Sequence, residues 1–166
     1  MMAFRIAWFK VYHPLAFYAA YFSIRAKAFD LRIMTGDLKT QMTEFNRIKA
    51  LDRAASPKDK DLMSALEVSM EMYQRGYRFI NVDIQHSEAR RFSIKDGALL
   101  PPFLAIDSLG ETVADAIVEE RNERPFTSLK DLQRRCKVSN TIIDLMKELK
   151  CCGELPEDEQ MSLFGA

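Results

Sequence analysis

The stretch that decides the fold is Ile-Asp-Ser-Leu-Gly at residues 106–110, a short apolar turn that ends in glycine. Directly after it, apolar residues recur at the spacing of one buried helical face: Val113, Ala114, Ile117 and Val118. The pattern therefore predicts a tight turn that leads into an amphipathic helix.

A second, shorter pair of helices follows. Ser128 and Asp131 stand three residues apart, which is the spacing of a capping box at the start of a helix. Ser139 is the predicted cap of a last helix, which ends near Gly153. The apolar face of that helix is Ile142, Ile143, Met146 and Leu149. Residues 103–150 are thus predicted to be a series of short helices joined by turns.

Residues 106–110 are similar to the turn of a helix-hairpin-helix element, which usually reads apolar-x-Gly-apolar-Gly. A tight glycine turn exposes backbone N–H groups at the start of the next helix, where the helix dipole also favours an anion. Such amides hold a DNA phosphate without reading any base. Here Ser108 replaces the first glycine, and Glu111 places a negative charge where a phosphate would sit. The alternative, which these residues leave open, is a helix pair stabilised by packing alone.

The first part of the chain is predicted to be helical. His13-Pro14 separates two apolar helices, because proline fits the first position of a helix and the residue before it avoids helical geometry. Thr35-Gly36 marks a turn, and Ser56-Pro57 with Asp59 has the capping-box spacing. The predicted buried faces are Leu15, Tyr18, Ala19 and Phe22, then Leu38, Met42, Phe45 and Ile48, then Leu62, Leu66, Met70 and Tyr73, the last ending at Gly76.

Two β features are predicted between residues 80 and 100. Ile80, Val82 and Ile84 alternate with polar residues, which is the period of a short strand. Asp96-Gly97 between two extended pieces, 91–94 and 98–100, is a strong hairpin signal. The fold class is therefore mainly α with a small β-hairpin.

The last residues carry a second motif, Gln160-Met161-Ser162-Leu163-Phe164, which matches the bacterial sliding-clamp-binding peptide Gln-x-small-Leu-Phe. Such a peptide places its glutamine in a polar pocket and its two apolar anchors, Leu163 and Phe164, in a hydrophobic cleft. An acidic spacer precedes it, so residues 154–166 are predicted to form a flexible tail. The alternative is a frayed end whose apolar residues are accidental.

Composition and charge exclude several classes of protein. The chain has 166 residues, 48% hydrophobic and 29% charged, which is typical of a globular protein rather than a disordered one. The formal net charge of zero is made up of +5 over residues 1–100, −1 over 101–150 and −4 over 151–166, so a strongly basic nucleic-acid footprint is absent. Charges interrupt every apolar run, and no secretory signal opens the chain, so we expect a cytoplasmic protein with no membrane span.

No catalytic, cofactor or metal site is predicted. Cys136, Cys151 and Cys152 are expected to be reduced thiols. His13 and His86 have no cysteine or carboxylate partners at ligand spacing, so metal binding is not expected. Asp30, Asp37, Asp52 and Asp83 are interpreted as solvated surface charges.

With both motifs in view, the whole chain resembles the C-terminal end of the PolC-type DNA polymerase III alpha subunit. The resemblance is carried by residues 4–14, 21–26, 29–31, 55–58, 78–83 and 100–103, and then by 109–110, 117–121, 130–134, 137–139 and 160–164. The family usually has Pro-Gly at the positions of Asp107 and Ser108, and Gly165-Ala166 extends beyond its usual terminal phenylalanine.

The resemblance implies a fragment of a bacterial replicative polymerase, whose palm, thumb and proofreading exonuclease lie elsewhere in the longer chain. Residues 1–100 would be the end of the fingers domain, 101–153 a tandem helix-hairpin-helix domain that holds duplex DNA, and 154–166 the clamp-binding tail. The palm aspartates that bind Mg2+ have no counterpart here, so this chain alone is expected to be inactive.

Two sets of binding residues follow from this interpretation. The duplex would be held by Ser108, Gly110, Thr112, Lys137, Ser139 and Asn140, and the sliding clamp by Gln160, Leu163 and Phe164. The competing hypothesis is a stand-alone, non-enzymatic adaptor that binds DNA or the clamp by itself.

Overall fold

The computed structural model describes residues 2–26 and 28–158, and within them the chain is mainly helical with one two-stranded antiparallel hairpin. The helices are α1 (Met2–Tyr12), α2 (Pro14–Ile24), α3 (Leu31–Met34), α4 (Leu38–Leu51), α5 (Pro57–Gln74), α6 (Glu111–Glu123), α7 (Leu129–Cys136) and α8 (Asn140–Glu148), and the strands are β1 (Ser93–Lys95) and β2 (Ala98–Leu100). Short 3-10 turns occupy Asp52–Ala54 and Phe103–Ala105. The predicted fold class is confirmed. In this part of the chain no helix is long and apolar enough to cross a membrane.

Side-chain caps begin several helices where the sequence predicts them. Ser56 accepts the Asp59 N–H, and Asp59 in turn accepts the Ser56 N–H, so the capping box of α5 is confirmed. Asp30 accepts the Ile33 N–H at the start of α3, and Asp37 begins α4 in the same way. Asp37 is exposed, in agreement with its interpretation as a surface charge, and Asp30 is partly buried; both also have a role as helix caps that was not predicted.

The first hydrophobic cluster lies among α2 to α5 and the β-hairpin: Tyr18, Phe22, Met34, Ile48, Ala65, Leu66, Met72, Phe79 and Leu99. On α4 the buried residues are Gln41 and Ile48, so the predicted face is confirmed at Ile48 and wrong at Met42, which is half exposed. The Gln41 amide donates to the Met34 carbonyl and its oxygen accepts from the Ser69 hydroxyl, which explains how a polar side chain is buried there.

The hairpin is confirmed, and the strand at residues 80–84 is not. Asp96 and Gly97 both have positive φ, 51° and 74°, as a two-residue hairpin turn requires. Contact with β2 is confined to a single bridge between Phe79 and Leu99, in which the Ile80 N–H donates to the Leu99 carbonyl at 2.9 Å. Asn81 then accepts the Val82 N–H with its own side chain, so this backbone has no strand partner to pair with.

The segment after this bridge joins the two halves of the molecule. Val82 and Ile84 are buried in a second cluster, which is formed mainly by residues beyond 100. The Ile84 N–H donates to the Cys151 carbonyl at 3.1 Å, and the Arg121 guanidinium donates to the carbonyls of Ile84 and Ser87. These contacts attach α6 and the turn after α8 to the first half and fix the orientation of the helical turns beyond residue 100.

Candidate nucleic-acid interface

The first candidate turn lies between the 3-10 turn Phe103–Ala105 and α6. Ser108 adopts the left-handed conformation, with φ 64°, at the position where a glycine is usual. Leu109 is buried in the second cluster. Gly110 is the extended N-cap of α6, with φ −74° and ψ 157°, and its carbonyl accepts the Ala114 N–H at 3.0 Å. The predicted tight turn before an amphipathic helix is thus present.

The second turn, between α7 and α8, repeats this geometry with different residues. Lys137 is left-handed, with φ 54° and ψ 36°. Val138 is buried. Ser139 is the extended N-cap of α8, with φ −71° and ψ 155°, and its carbonyl accepts the Ile143 N–H at 3.0 Å. Each turn therefore consists of a left-handed residue, a buried apolar residue and an extended N-cap.

The three helix starts of this region differ in how their first amides are satisfied. Ser128 caps α7 with its side chain, and the N–H groups of Leu129 and Lys130 donate to the carbonyls of Pro156 and Glu157 at 2.9 and 3.2 Å. By contrast α6 has no side-chain cap. At α8 the Ser139 hydroxyl accepts a single N–H. The starts of α6 and α8 thus keep donors for an external anion, and the start of α7 does not.

The charges around the first turn are mostly negative. Arg90 binds Asp115 through two hydrogen bonds and Glu111 through a third, at 2.7 Å from the Glu111 carboxylate. The hydrogen bond from Arg90 lowers the pKa of the Asp115 carboxyl. Asp107 is exposed in the turn itself. Arg90 therefore faces two carboxylates and Asp107 adds a third negative charge to the turn, which disfavours a phosphate beside α6.

The second turn carries positive charge instead. Lys130 and Arg134 stand four residues apart on one face of α7, and Lys137 follows as its C-cap in the turn itself. All three residues are exposed. Asn140 follows on α8, where its side-chain oxygen accepts a hydrogen bond of 2.5 Å from Gln133. This turn combines free donors with cations, which suits a phosphate.

Beneath this face a buried carboxylate holds α7 in place. Asp131 is buried and accepts hydrogen bonds from Arg134 at 2.9 Å, Arg135 at 3.3 Å and the Thr127 N–H at 3.3 Å. Burial on its own would raise the pKa of Asp131, but these hydrogen bonds and the charge of Arg124 outweigh it and lower the pKa. The spacing from Ser128 predicts Asp131 only as part of a cap, although Arg134 and Arg135 at the i+3 and i+4 positions are a signal for such a network.

The structure groups the predicted DNA-binding residues at the two turns. Ser108, Gly110 and Thr112 are exposed at the first turn, and Lys137, Ser139 and Asn140 are exposed at the second. Their contact with DNA stays a prediction. The predicted clamp-binding residues, Gln160, Leu163 and Phe164, lie outside the described residues.

Asp83 and His86 form hydrogen bonds that their sequence-based interpretation did not include. Asp83 accepts hydrogen bonds from Lys95 at 2.7 Å and from the Gln85 N–H, and it lies 2.8 Å from the His86 ring. The interpretation of Asp83 as a solvated charge, and of His86 as lacking a carboxylate partner, is therefore wrong. In the described ranges, no group of three or more histidine, cysteine or acidic side chains is placed to hold a metal ion.

The cysteines are free, as predicted, and all three are buried. Burial raises the pKa of Cys136 and Cys152 to about 11 and that of Cys151 to about 12. Because the thiolate is the reactive form, these side chains are poor nucleophiles at neutral pH. They act as small apolar groups in the second cluster.

Comparison with known proteins agrees with this geometry. A family model of the helix-hairpin-helix motif matches residues 76–160. The chain is 44% identical over 164 residues to a protein of Caldanaerobacter subterraneus subsp. tengcongensis, and 44% identical over 167 residues to one of Streptococcus pyogenes. Both relatives bear the name DNA polymerase III PolC-type. The matches cover 99% of this chain but only 12% and 11% of those proteins, so the chain spans a small part of the relatives' length.

Proposed function

Because the chain belongs to the helix-hairpin-helix family, we propose that it holds the backbone of duplex DNA as part of a bacterial replicative polymerase of the PolC type. The observation that carries the proposal is the repeated turn at Ser108–Gly110 and Lys137–Ser139. Each turn presents the start of a helix to solvent, and backbone amides in that position bind phosphate without reading sequence.

The second turn supplies most of the DNA affinity in this proposal. Lys137 and the start of α8 offer a cation beside free amide donors, whereas Glu111 and Asp115 surround the start of α6 with carboxylates. A phosphate beside α6 would have to compete with both carboxylates for Arg90. The two turns thus share a backbone geometry and differ in electrostatics, and the first contributes chiefly by positioning α6.

The C-terminal residues would tether the chain to the sliding clamp. The support is the sequence match at Gln160, Leu163 and Phe164, with Gln160 as the orienting polar contact and the two apolar side chains as anchors. The structure adds one fact about the residues before this motif. Residues 155–158 were predicted to belong to a flexible tail, and they are instead hydrogen-bonded or paired with α7 and α8 or packed against the second cluster.

The catalytic step would belong to the rest of the polymerase. The resemblance implies that the aspartates that bind Mg2+ lie in the palm, so the partners of this chain include the palm, the thumb and the exonuclease, all acting in the cytoplasm. The 166-residue chain is then expected to incorporate no nucleotide on a primed template. Incorporation that survives repurification and requires Mg2+ would contradict this part of the proposal.

Fluorescence anisotropy with labelled duplexes tests the DNA-binding part. Two duplexes of unrelated sequence should bind with equal affinity, since only the backbone is contacted. The slope of log affinity against log salt concentration should be about −0.9 per phosphate contact, so few contacts give a shallow slope. Strong preference for one sequence would contradict a mode of binding that contacts only phosphates.

A further inference from the structure

Residues 155–158 form a short segment, here named the acidic strap, that lies against α7 and α8. Leu155 packs on the second hydrophobic cluster. The carbonyls of Pro156 and Glu157 accept the first two N–H groups of α7. The backbone of the strap is therefore fixed at the start of α7, independently of its side chains.

The two acidic side chains of the strap each form an ion pair with one lysine. The Glu157 carboxylate lies 2.7 Å from the Lys147 Nζ, on α8. Asp158 forms an ion pair with Lys130, on α7. The four side chains are between 38% and 77% exposed, so water and other anions reach both pairs. Exposed pairs of this kind are weak and exchange readily.

Lys130 continues the basic face that ends at the second turn, and the ion pairs with the adjacent residues Glu157 and Asp158 place Lys147 near Lys130. Lys130 lies in the first turn of α7 and Lys137 is its C-cap, so α7 separates them by about 10 Å at the rise of a helix. Duplex DNA rises about 3.4 Å along its axis per nucleotide of one strand, so this length equals the rise of roughly three nucleotides when α7 lies along the duplex axis. Arg134 lies between Lys130 and Lys137 in the chain, on the same face as Lys130. A strand bound at Lys137 could therefore reach Lys130.

We propose that Lys130 and Lys147 form an extension of the second turn that binds duplex backbone phosphates, and that the acidic strap occupies this extension when DNA is absent. Two adjacent carboxylates on a fixed backbone pair with the lysines that two phosphates would otherwise contact. DNA then has to displace Glu157 and Asp158 from the lysines, which lowers its affinity without blocking the second turn. The inference rests on the proposed DNA-binding function and adds a binding surface and its competitor.

The test measures DNA binding by the full chain after the strap is neutralised. Glu157→Gln with Asp158→Asn should increase duplex affinity about threefold or more at low salt, within the range that two exposed ion pairs allow. The salt dependence should become steeper by up to about 1.8 in the log–log slope, since two more phosphates are contacted. The backbone hydrogen bonds of the strap are untouched, so the thermal unfolding temperature should stay close to that of the parent.

A charge-matched control separates displacement from a general change in net charge. Glu123→Gln with Glu154→Gln removes the same charge at two exposed residues that form no ion pair within the described part of the chain. This control should change the affinity clearly less than the strap variant. Equal gains in the two variants would overturn the proposal.

A second arm removes the lysines. Lys130→Ala with Lys147→Ala should weaken DNA binding, and neutralising the strap in that background should give no further gain. A gain that persists without the lysines would also overturn the proposal. If Lys137→Ala weakens binding while neither the strap nor these lysines matter, only the extension fails. If Lys137→Ala has no effect either, the proposed function itself fails.

Discussion

Ser108 and Lys137 occupy the same place in two turns that differ in sequence. Both residues are left-handed, with φ 64° and 54°, and each precedes a buried apolar residue and an extended helix N-cap. Neither is glycine, the residue for which this conformation carries no steric cost. The backbone geometry of the helix-hairpin-helix turn is thus kept at a cost in stability. Of the two residues, only Lys137 adds a positive charge to its turn.

Replacing these two residues with glycine should separate stability from DNA binding. Ser108→Gly and Lys137→Gly each relieve a left-handed side chain, so each should raise the free energy of unfolding by roughly 0.5–1 kcal/mol. Only Lys137→Gly should weaken DNA binding, because it also removes a cation from the second turn. Denaturant unfolding and anisotropy on the same preparations measure both effects. Equal losses of DNA affinity would contradict the unequal roles of the turns.

The buried carboxylate beneath α7 should dominate the stability of the second half. Asp131→Asn weakens a buried acceptor that Arg134, Arg135 and the Thr127 N–H share, while Arg135 keeps the Glu120 carboxylate at 2.9 Å, so we expect a loss of roughly 1–3 kcal/mol in the free energy of unfolding. A substitution to asparagine at the exposed Asp144 should cost far less. Urea unfolding followed by circular dichroism measures both variants. A loss at position 131 no larger than that at 144 would show that the network contributes little.

The lowered pKa of Asp131 determines how its contribution to stability changes with pH. The pKa of Asp131 is lower in the folded chain than in the unfolded one, so its stabilising effect is complete above the unfolded value of about 3.9 and is lost as the pH falls below it. The difference in unfolding free energy between the parent and Asp131→Asn should therefore shrink between about pH 5 and pH 3. A difference that stays constant over this range would contradict a lowered pKa.

The clamp-binding motif can be tested apart from the rest of the chain. A peptide of residues 154–166 should bind a purified bacterial sliding clamp with micromolar affinity, about −8 kcal/mol at most. Leu163→Ala with Phe164→Ala should abolish binding, since each anchor buries apolar surface worth about 1.5–3 kcal/mol. Added salt should have little effect on such apolar contacts. If the doubly substituted peptide binds as well as the parent in fluorescence polarisation, the motif is wrongly assigned.

Local signals in the sequence were enough to predict the helix starts and the hairpin. The capping box at Ser56 and Asp59, the Asp96-Gly97 turn and the cap at Ser139 each depend on residues within a few positions of one another. The turn at residues 106–110 was predicted for the same reason, because an apolar-x-x-apolar-Gly pattern before a helical face is itself local.

Contacts between distant residues could not be predicted in this way. The segment 80–84 has the alternation of a strand, yet Asn81 binds its own backbone and Ile84 pairs with Cys151. The pairing of Arg90 with Asp115 joins residues 25 positions apart, and no local pattern indicates it. The second turn was predicted only through the family resemblance, since Lys137 adopts a glycine conformation without a glycine in the sequence.

The most direct test of the central claim removes one backbone N–H from the second turn. Asn140 is the first residue of α8, and Ser139 before it has the extended geometry that suits a residue preceding proline. The chain already has proline at the first position of α2 and α5. Asn140→Pro therefore removes an amide donor and keeps the helix, while Asn140→Ala removes the same side chain and keeps the donor.

The two variants should have similar unfolding temperatures and different DNA affinities, measured by anisotropy with a labelled duplex. A hydrogen bond to a charged group is worth about 1.5–3 kcal/mol, so Asn140→Pro should bind at least about tenfold more weakly than Asn140→Ala. Equal affinities in two folded variants would contradict the claim that backbone amides of this turn hold the DNA phosphate.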